Sequence, residues 1–278
     1  MSFETLLVQL ELGRSNAAPL GVTRDLARRL GAVVHGAAVA LPLQTAMAAE
    51  GFYSGNFVIE DINQIENEAV AAKREFLAAM DDGVDCRDWL MGVTDVPLSE
   101  RIAAASATAD LVVVGVSQHS EQDRGPSRRV DIDDLVMQTG RPVLAVPLSL
   151  GGFAFRCAMV AWKNRREARR AIADALPLLK HMERVILVEV APLSEQGPAQ
   201  AGLFKMAAWL ACHGIEASSR LVTEAGSDSD RLLEVAEEEG ADLIVAGAYG
   251  HSRFREWVMG GVTRELLRKG GRCVLLSH

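Results

Sequence analysis

The sequence is poor in the features that mark several classes of protein. It contains four cysteines, Cys86, Cys157, Cys212 and Cys273, which stand far apart with no CxxC pair and no histidine at metal-ligand spacing. Such an arrangement does not predict a zinc site or a disulfide framework, so we expect no metal and interpret the cysteines as small buried hydrophobes.

Long apolar runs are also missing. No run reaches the roughly 18 residues of a membrane-spanning helix. The start, Met1-Ser2-Phe3-Glu4, lacks the basic-then-apolar order of a signal peptide. We therefore expect a cytoplasmic protein with no membrane partner.

Positive charge is scarce in the first half of the chain. The net charge is −8, and residues 1–150 hold 12 Lys and Arg against 21 Asp and Glu, whereas residues 151–278 hold 17 against 16. No basic run is interleaved with aromatic residues, which argues against a nucleic-acid partner. The near-neutral second half is the better host for a small anionic ligand.

The sequence does contain an internal repeat. Ala109-Asp110-Leu111-Val112-Val113-Val114-Gly115 returns 132 residues later as Ala241-Asp242-Leu243-Ile244-Val245-Ala246-Gly247, and the segment 140–146 returns as 271–277. Two copies of one domain are thus predicted, at 1–147 and 153–278. The first copy carries about 20 extra residues near 41–60.

Each copy alternates short β-branched runs with helical stretches, which predicts parallel strands joined by helical crossovers. In the second copy we predict five strands, near 155–162, 184–190, 215–222, 242–247 and 272–276, and helices near 165–181, 196–213, 228–239 and 261–269. Gly240 and Gly270 are predicted to cap the last two helices in the left-handed conformation. The fold class is α/β, with two tandem flavodoxin-like (Rossmann-like) domains, each a five-stranded parallel sheet with helices on both faces.

The short apolar last strands of the two copies, 142–146 and 273–276, are expected to pair with each other as an internal pseudo-dimer, since exposed strand edges invite pairing. A structure with Val143 and Val274 on opposite outer surfaces would contradict this. A homodimer of whole chains is also compatible with the sequence.

Ligands of open parallel sheets bind beyond the carboxyl ends of the strands. There, the second copy reads Gly247-Ala248-Tyr249-Gly250, then nine residues, then Gly260-Gly261-Val262-Thr263 at the start of a helix. Glycines allow close approach of a ligand, and amides at a helix start can bind phosphate oxygens. Thr263 could add a hydroxyl donor.

The paired domains, this Gly-x2-Gly-x9-Gly segment and the following Val262-Thr263-Arg264-Glu265-Leu266-Leu267 resemble a tandem universal stress protein. The resemblance implies a cytoplasmic stress-response role. It also implies ATP or another adenine nucleotide as cofactor, held by the glycines, a Ser/Thr after the third glycine and an Asp ending the first strand. Here those last two positions are Gly261 and Lys163, so we expect phosphate-like anions to be preferred over adenosine, with ATP bound weakly or not at all.

The first copy keeps only Gly115 of the glycines, and its arginines Arg124, Arg128 and Arg129 are interpreted as a solvated surface. Binding is therefore expected only in the second copy, with no catalytic residue assigned. A nucleotide-independent scaffold and a slow ATPase or nucleotidyl hydrolase remain alternatives to a binding or regulatory module. The candidate ligand residues are Lys163, Val190, Ala246, Gly247, Gly250, His251, Gly260, Gly261, Val262 and Thr263.

Overall fold

The computed structural model describes residues 2–42, 55–80, 83–117, 128–248 and 261–278. The described strands are β1 (Thr5–Gln9), β2 (Val33–Ala40), β3 (Cys86–Val93), β4 (Leu111–Val116), β5 (Val143–Pro147), β6 (Cys157–Ala161), β7 (Arg184–Ala191), β8 (Ala217–Thr223), β9 (Leu243–Gly247) and β10 (Cys273–Ser277). The described α-helices are α1 (Ala17–Leu30), α2 (Gly55–Met80), α3 (Leu98–Ala105), α4 (Ile132–Thr139), α5 (Arg166–Leu179), α6 (Gln196–Cys212), α7 (Asp228–Glu238) and α8 (Gly261–Lys269).

All ten strands form one sheet, in the order β3-β2-β1-β4-β5-β10-β9-β6-β7-β8. Pairing is parallel within each half. At the centre β5 and β10 pair antiparallel, with Val274 opposite Ala145 and Leu276 opposite Val143. The prediction that the last strands of the two copies meet is confirmed.

Helices cover both faces of this sheet, which confirms the predicted α/β class. One face packs against α1, α2, α5 and α6, and the other against α3, α4, α7 and α8. The central strands are buried on both faces, for example all five residues of β10, as continuous apolar strands of parallel sheets require. No helix in the described ranges is long and apolar enough to span a membrane.

The aspartate of the repeated Ala-Asp-Leu segment has the same structural role in both copies. Asp110 Oδ2 accepts hydrogen bonds from the backbone N–H of Glu4 and Thr5, at 2.9 and 3.0 Å. Asp242 Oδ2 accepts from the N–H of Arg156 and Cys157, at 2.7 and 3.3 Å. Each carboxylate thus joins the start of the fourth strand of its copy to the start of the first.

The segment between the two copies is bound to α1. The backbone N–H of Phe153 donates to Asp25 Oδ2 at 3.2 Å, and the Arg29 guanidinium lies 5.6 Å from the centroid of the Phe155 ring. Phe153 and Phe155 pack edge to face, with centroids 4.7 Å apart. The connection between the copies is therefore part of the packed structure.

Two expectations about single residues are wrong. Gly240 has the predicted left-handed conformation, with φ 61°, but after α8 it is Gly271, with φ 58°, that adopts it. Gly270 is needed for another reason, because a Cβ there would lie 2.3 Å from the carbonyl oxygen of Leu266. Of the four cysteines, Cys157 and Cys273 are buried as expected, whereas Cys212 is exposed.

The domain limits 1–147 and 153–278 remain predictions. Most of the extra segment predicted near 41–60 lies outside the described residues, which resume with α2 at position 55.

Candidate functional site

The carboxyl ends of three neighbouring strands meet at one edge of the second half. β6 lies between β9 and β7 and is parallel to both, with Val160 opposite Val245 and Ala161 opposite Val188. Residues that follow β6, β7 and β9 therefore emerge side by side. The predicted positions Lys163, Val190 and Gly247 all belong to this edge.

The first turn of α8 is held against the same edge by a side-chain hydrogen bond. Thr263 is buried, and its hydroxyl donates to the carbonyl oxygen of Gly247 at 3.3 Å. The amides of Gly261, Val262 and Thr263, which have no acceptor within their own helix, consequently lie near the end of β9. The Thr263 proton predicted for a ligand is already used within the protein.

Gly261 is exposed, and a Cβ added there would meet nothing within 4 Å. A larger side chain at the start of α8 is therefore sterically accepted. The glycine at this position is not required by packing.

Gly247 is a glycine for a different reason. A Cβ at this position would lie 2.6 Å from the carbonyl carbon of Glu167 and 2.7 Å from the backbone nitrogen of Ala168. The first turn of α5 therefore packs directly on the end of β9, and any side chain would push the two apart. The first glycine of the predicted motif is thus required by the fold, whether or not a ligand binds.

Lys163 follows β6 by two residues and is 42% exposed in its side chain. Its Nζ lies 3.8 Å from Oδ2 of Asp228, the first residue of α7. An ion pair at this exposure is weak and leaves the ammonium accessible to another anion. The lysine predicted to attract phosphate therefore already has one carboxylate beside it.

The side chains of Val190 and Ala246 are buried in the core between the sheet and the α7 and α8 layer. They can offer a ligand only their backbone groups. Gly250, His251 and Gly260 lie outside the described residues, so their predicted roles stay predictions.

Two buried polar side chains lie next to this edge, and one of them, Glu189, escaped prediction. Trp162 is 5% exposed, and its indole Nε1 has no hydrogen-bond acceptor among the described residues. Glu189 is 7% exposed. Both lie beside Gly202 of α6, where an added Cβ would be 3.8 Å from Trp162 Nε1 and 3.9 Å from Glu189 Oε2.

Burial raises the pKa of Glu189, while the positive charge of Lys163 lowers it and the negative charge of Glu195 raises it further. The signal was visible in the sequence, since Glu189 is the one acid in the apolar run of β7, Arg184–Ala191. Lys163 therefore pairs with Asp228 and also interacts electrostatically with Glu189, so its charge is partly compensated before any ligand arrives.

The corresponding edge of the first half is built differently. A small cleft there is lined by Gln9, Glu11, Val114, Gly115, Val116, Arg129, Val130 and Ile132. Glu11, at the end of β1, is paired with Arg14, with Nε 3.4 Å from Oε1. Among the described residues, the lining of this cleft includes two charged side chains, those of Glu11 and Arg129.

The interpretation of Arg128 as a solvated residue is wrong. Its side chain is 12% exposed, and its guanidinium bonds Asp61 at 3.1 Å and Glu68 at 3.0 Å. Both carboxylates belong to α2, so the ion pairs of Arg128 connect that helix to the segment that precedes α4. Arg124 lies outside the described residues.

Within the described ranges, no group of three or more His, Cys, Asp or Glu side chains is arranged to hold a metal ion. Among the described residues, the groups at the second-half edge are backbone amides, the Lys163 ammonium and the carboxyl groups of Asp228 and Glu189.

Comparison with known proteins identifies the family of the second half of the chain. Residues 155–276 match the model of the universal stress protein family. A universal stress protein of Methanocaldococcus jannaschii is 31% identical over 51 residues, which cover 18% of this chain and 32% of that protein. The second half of the chain is therefore a universal stress protein domain. The match to this curated relative spans about a third of the relative's length.

Solved universal stress proteins share the fold. A crystal structure from Archaeoglobus fulgidus superimposes with a TM-score of 0.73 at 17% identity, covering 98% of this chain and 95% of the other. A universal stress protein in complex with cAMP covers 45% of this chain and 98% of its own, with a TM-score of 0.40 at 24% identity. The Archaeoglobus likeness extends over both halves, so the first half shares the fold, although the family model matches the second half.

Proposed function

We propose that this protein is a non-catalytic binding or regulatory module of a cytoplasmic stress response, with one site for a phosphate-bearing ligand such as an adenine nucleotide. The site would be the carboxyl edge of β9, β6 and β7 in the second half. The observation that supports it is the hydrogen bond from Thr263 to Gly247, because it holds the first-turn amides of α8 beside the strand ends.

The chemistry of this edge favours the phosphate over the rest of a nucleotide. Amides at a helix start bind anions through their N–H groups and the helix dipole, and neither depends on side chains. Lys163 supplies a positive charge but can accept no hydrogen bond, so the hydroxyl protons of a ribose find no acceptor in its side chain. We therefore expect inorganic phosphate and ATP to compete for one site, with adenosine not competing.

The test is calorimetric titration of the full chain with ATP, cAMP, adenosine and inorganic phosphate at one fixed salt concentration. Gly261→Asp places a carboxylate among the amides without a steric clash, since nothing lies within 4 Å of that Cβ. It should abolish phosphate and ATP binding. Gly197→Asp is the matched control, because Gly197 is the second residue of α6 and equally unobstructed.

Three results would contradict the proposal in different ways. Two equivalent sites per chain would mean that the first half also binds. Steady release of phosphate from ATP would favour the slow hydrolase. No heat with any of the four probes at millimolar concentration would favour the nucleotide-independent scaffold.

A further inference from the structure

In the part of the chain that the structure describes, the sheet has two free edges, at β3 and β8, because each of these strands pairs with a neighbour on one side only. A free edge presents unpaired N–H and C=O groups to any other strand, and proteins that remain monomeric usually interrupt it with charges, bulges or proline. The two edges of this chain differ in this respect.

The β3 edge is interrupted. Its pairing with β2 shifts register between Val34 and Gly36, and Gly92 has φ 111°. Two charged residues, Arg87 and Asp88, lie in the strand, and their side chains are 67% and 79% exposed. This strand is a poor template for another one.

The β8 edge has no register shift and no residue with positive φ. It pairs with β7 in an unbroken register over all seven residues, Ala217–Thr223. Its one charged residue, Arg220, is turned to α7 and the residue after it, with bonds of 2.6 Å to Glu238 and 3.3 Å to Glu239. Apart from Arg220, β8 carries only uncharged side chains, three with hydroxyl groups (Ser218, Ser219, Thr223) and three apolar (Ala217, Leu221, Val222).

The direction of the free backbone groups follows from the register. Glu224 N donates to Ala191 O at 3.0 Å, so even-numbered residues of β8 direct their N–H groups to β7. Because backbone groups alternate along a strand, the N–H and C=O groups of Ser219, Leu221 and Thr223 face away from the sheet. They form a regular row that a second strand can pair with.

The helix that packs beside β8 is also apolar on its outside. Among the described large hydrophobic side chains, Leu193 and Phe204 are the two most exposed, at 77% and 74%. Leu193 precedes α6 and Phe204 is its middle residue. Lys205 is the one charged residue among the 17 of α6.

Two alanines flank Phe204 on its own side of the helix. Ala201 and Ala208, three residues before and four after, are exposed and lie on the same side as Phe204. A two-fold axis near Phe204 would therefore place each phenyl ring on small side chains of an identical helix. Such self-complementary patches are typical of symmetric dimers.

We propose that β8 and α6 form the interface with a second copy of this chain, in which the two β8 strands pair antiparallel about a two-fold axis and the Phe204 side chains pack across it. The chain already uses this mode internally, where β5 and β10 pair antiparallel. The strip formed by β8 and the outer side of α6 contains two charged residues, Arg220 and Lys205. It therefore offers little charge for an oppositely charged partner to recognise.

The size of the strip sets the expected affinity. A helix of 17 residues and a strand of seven are both roughly 25 Å long. A strip of this length and two elements wide is smaller than the roughly 800 Å² per partner of standard stable complexes. We expect a dimer that dissociates in the micromolar range, so the oligomeric state should depend on concentration.

The experiment is sedimentation equilibrium of the full chain from about 1 to about 200 µM, the range in which an interface of modest size dissociates. The parent should shift from the 29.9 kDa monomer to twice that mass. Phe204→Glu and Ser219→Pro should each weaken dimerisation at least tenfold. Proline at 219 removes an outward N–H and leaves the bonds to β7 intact, as edge strands tolerate.

Leu77→Glu is the matched control, because Leu77 is 51% exposed on α2, in the other half of the chain. It should dimerise as the parent does. A parent that stays monomeric up to about 200 µM overturns the proposal. A dimer that is unaffected by both Phe204→Glu and Ser219→Pro also overturns it. A dimer that Leu77→Glu weakens as much as the two interface variants do overturns it as well. Circular dichroism of each variant confirms folding, and because the two variants alter different elements, one misfolded variant still leaves the other as a test.

Discussion

Lys163 Nζ lies 3.8 Å from Asp228 Oδ2, although 65 positions separate the two residues in the sequence. The ion pair connects the end of β6 with the start of α7, at the edge where a phosphate is proposed to bind. A phosphate and the Asp228 carboxylate would compete for the same ammonium. The affinity for anions should therefore depend on a residue that the glycine motif does not contain.

Asp228→Asn should strengthen phosphate binding about two- to fivefold, because it removes a negative charge and frees Lys163, and such exposed pairs are worth up to about 1 kcal/mol. Titration with inorganic phosphate at low salt measures the change. Asp230→Asn is the control, since Asp230 also lies in the first turn of α7 and pairs with a lysine, Lys269, at 3.2 Å. Equal gains in the two variants would show that Lys163 has no special part.

The double variant Lys163→Asp with Gly261→Ser introduces the two groups that ATP-binding relatives carry, and should strengthen ATP binding. Each charged hydrogen bond is worth about 1.5–3 kcal/mol, so two of them correspond to roughly two to four orders of magnitude. The new carboxylate would face Asp228 and Glu189, which reduces the gain. Adding Asp228→Asn should recover part of it.

Calorimetry with ATP at one salt concentration compares the three proteins. If the parent already binds ATP in the low micromolar range and the double variant gains nothing, our account of positions 163 and 261 is wrong.

Gly247→Ala should destabilise the fold by about 1–3 kcal/mol, the usual cost of overpacking, because the new methyl group would meet the backbone of α5 at 2.6 Å. Gly261→Ala, where the space is open, should be neutral or slightly stabilising. Urea unfolding of both variants measures the free energy of unfolding. Equal effects would mean that the two glycines of the motif are not distinguished by packing.

Asp110→Ala and Asp242→Ala should each lower the free energy of unfolding by about 1–3 kcal/mol, because each leaves two strand-end amides without their acceptor. Asp88→Ala, at a side chain that is 79% exposed, should cost less than 0.5 kcal/mol, about the usual limit for surface positions. Denaturant unfolding of the three variants gives the comparison. A loss confined to one copy would contradict the equivalence of the two aspartates.

The sequence predicted the elements well and the side-chain pairings poorly. The predicted helix at 228–239 and strand at 242–247 are observed as Asp228–Glu238 and Leu243–Gly247, because the period of apolar residues is a local property. The pairing of β5 with β10 could be predicted because both are short apolar strands whose exposed edges favour pairing.

Arg128 is the clearest failure. Its partners Asp61 and Glu68 lie 60 or more positions earlier, on a helix whose position relative to Arg128 no local pattern encodes. The pairing of Lys163 with Asp228 was missed for the same reason. The sequence motif predicted a glycine at position 247 for ligand binding. It did not predict that the close approach of α5 also requires a glycine there, because that approach is a tertiary contact.

Glu189→Gln should stabilise the protein at neutral pH and have no effect in acid. Burial raises the pKa of Glu189, with Lys163 opposing the shift and Glu195 adding to it. Below the ordinary glutamate pKa of 4.5 the carboxyl is protonated in both the folded and the unfolded chain, so the two proteins should unfold alike. As the pH rises above 4.5 the unfolded chain loses this proton first, and folding then requires either taking up a proton or burying a charge.

The parent should therefore lose stability relative to the glutamine variant as the pH rises from 4.5 to the raised value, and the difference should stay constant above it. A buried polar group with incomplete partners costs on the order of 1 kcal/mol, which corresponds to a Tm higher by about 2–4 °C in the variant. Thermal unfolding of both proteins between pH 4 and pH 8 measures this. Glu216→Gln, at an exposed residue that does not act on Glu189, is the control and should follow the parent. A Tm difference that is the same at every pH would show that glutamine changes packing rather than charge. A glutamine variant that is less stable than the parent at neutral pH would mean that the Glu189 carboxylate is well paired with Lys163.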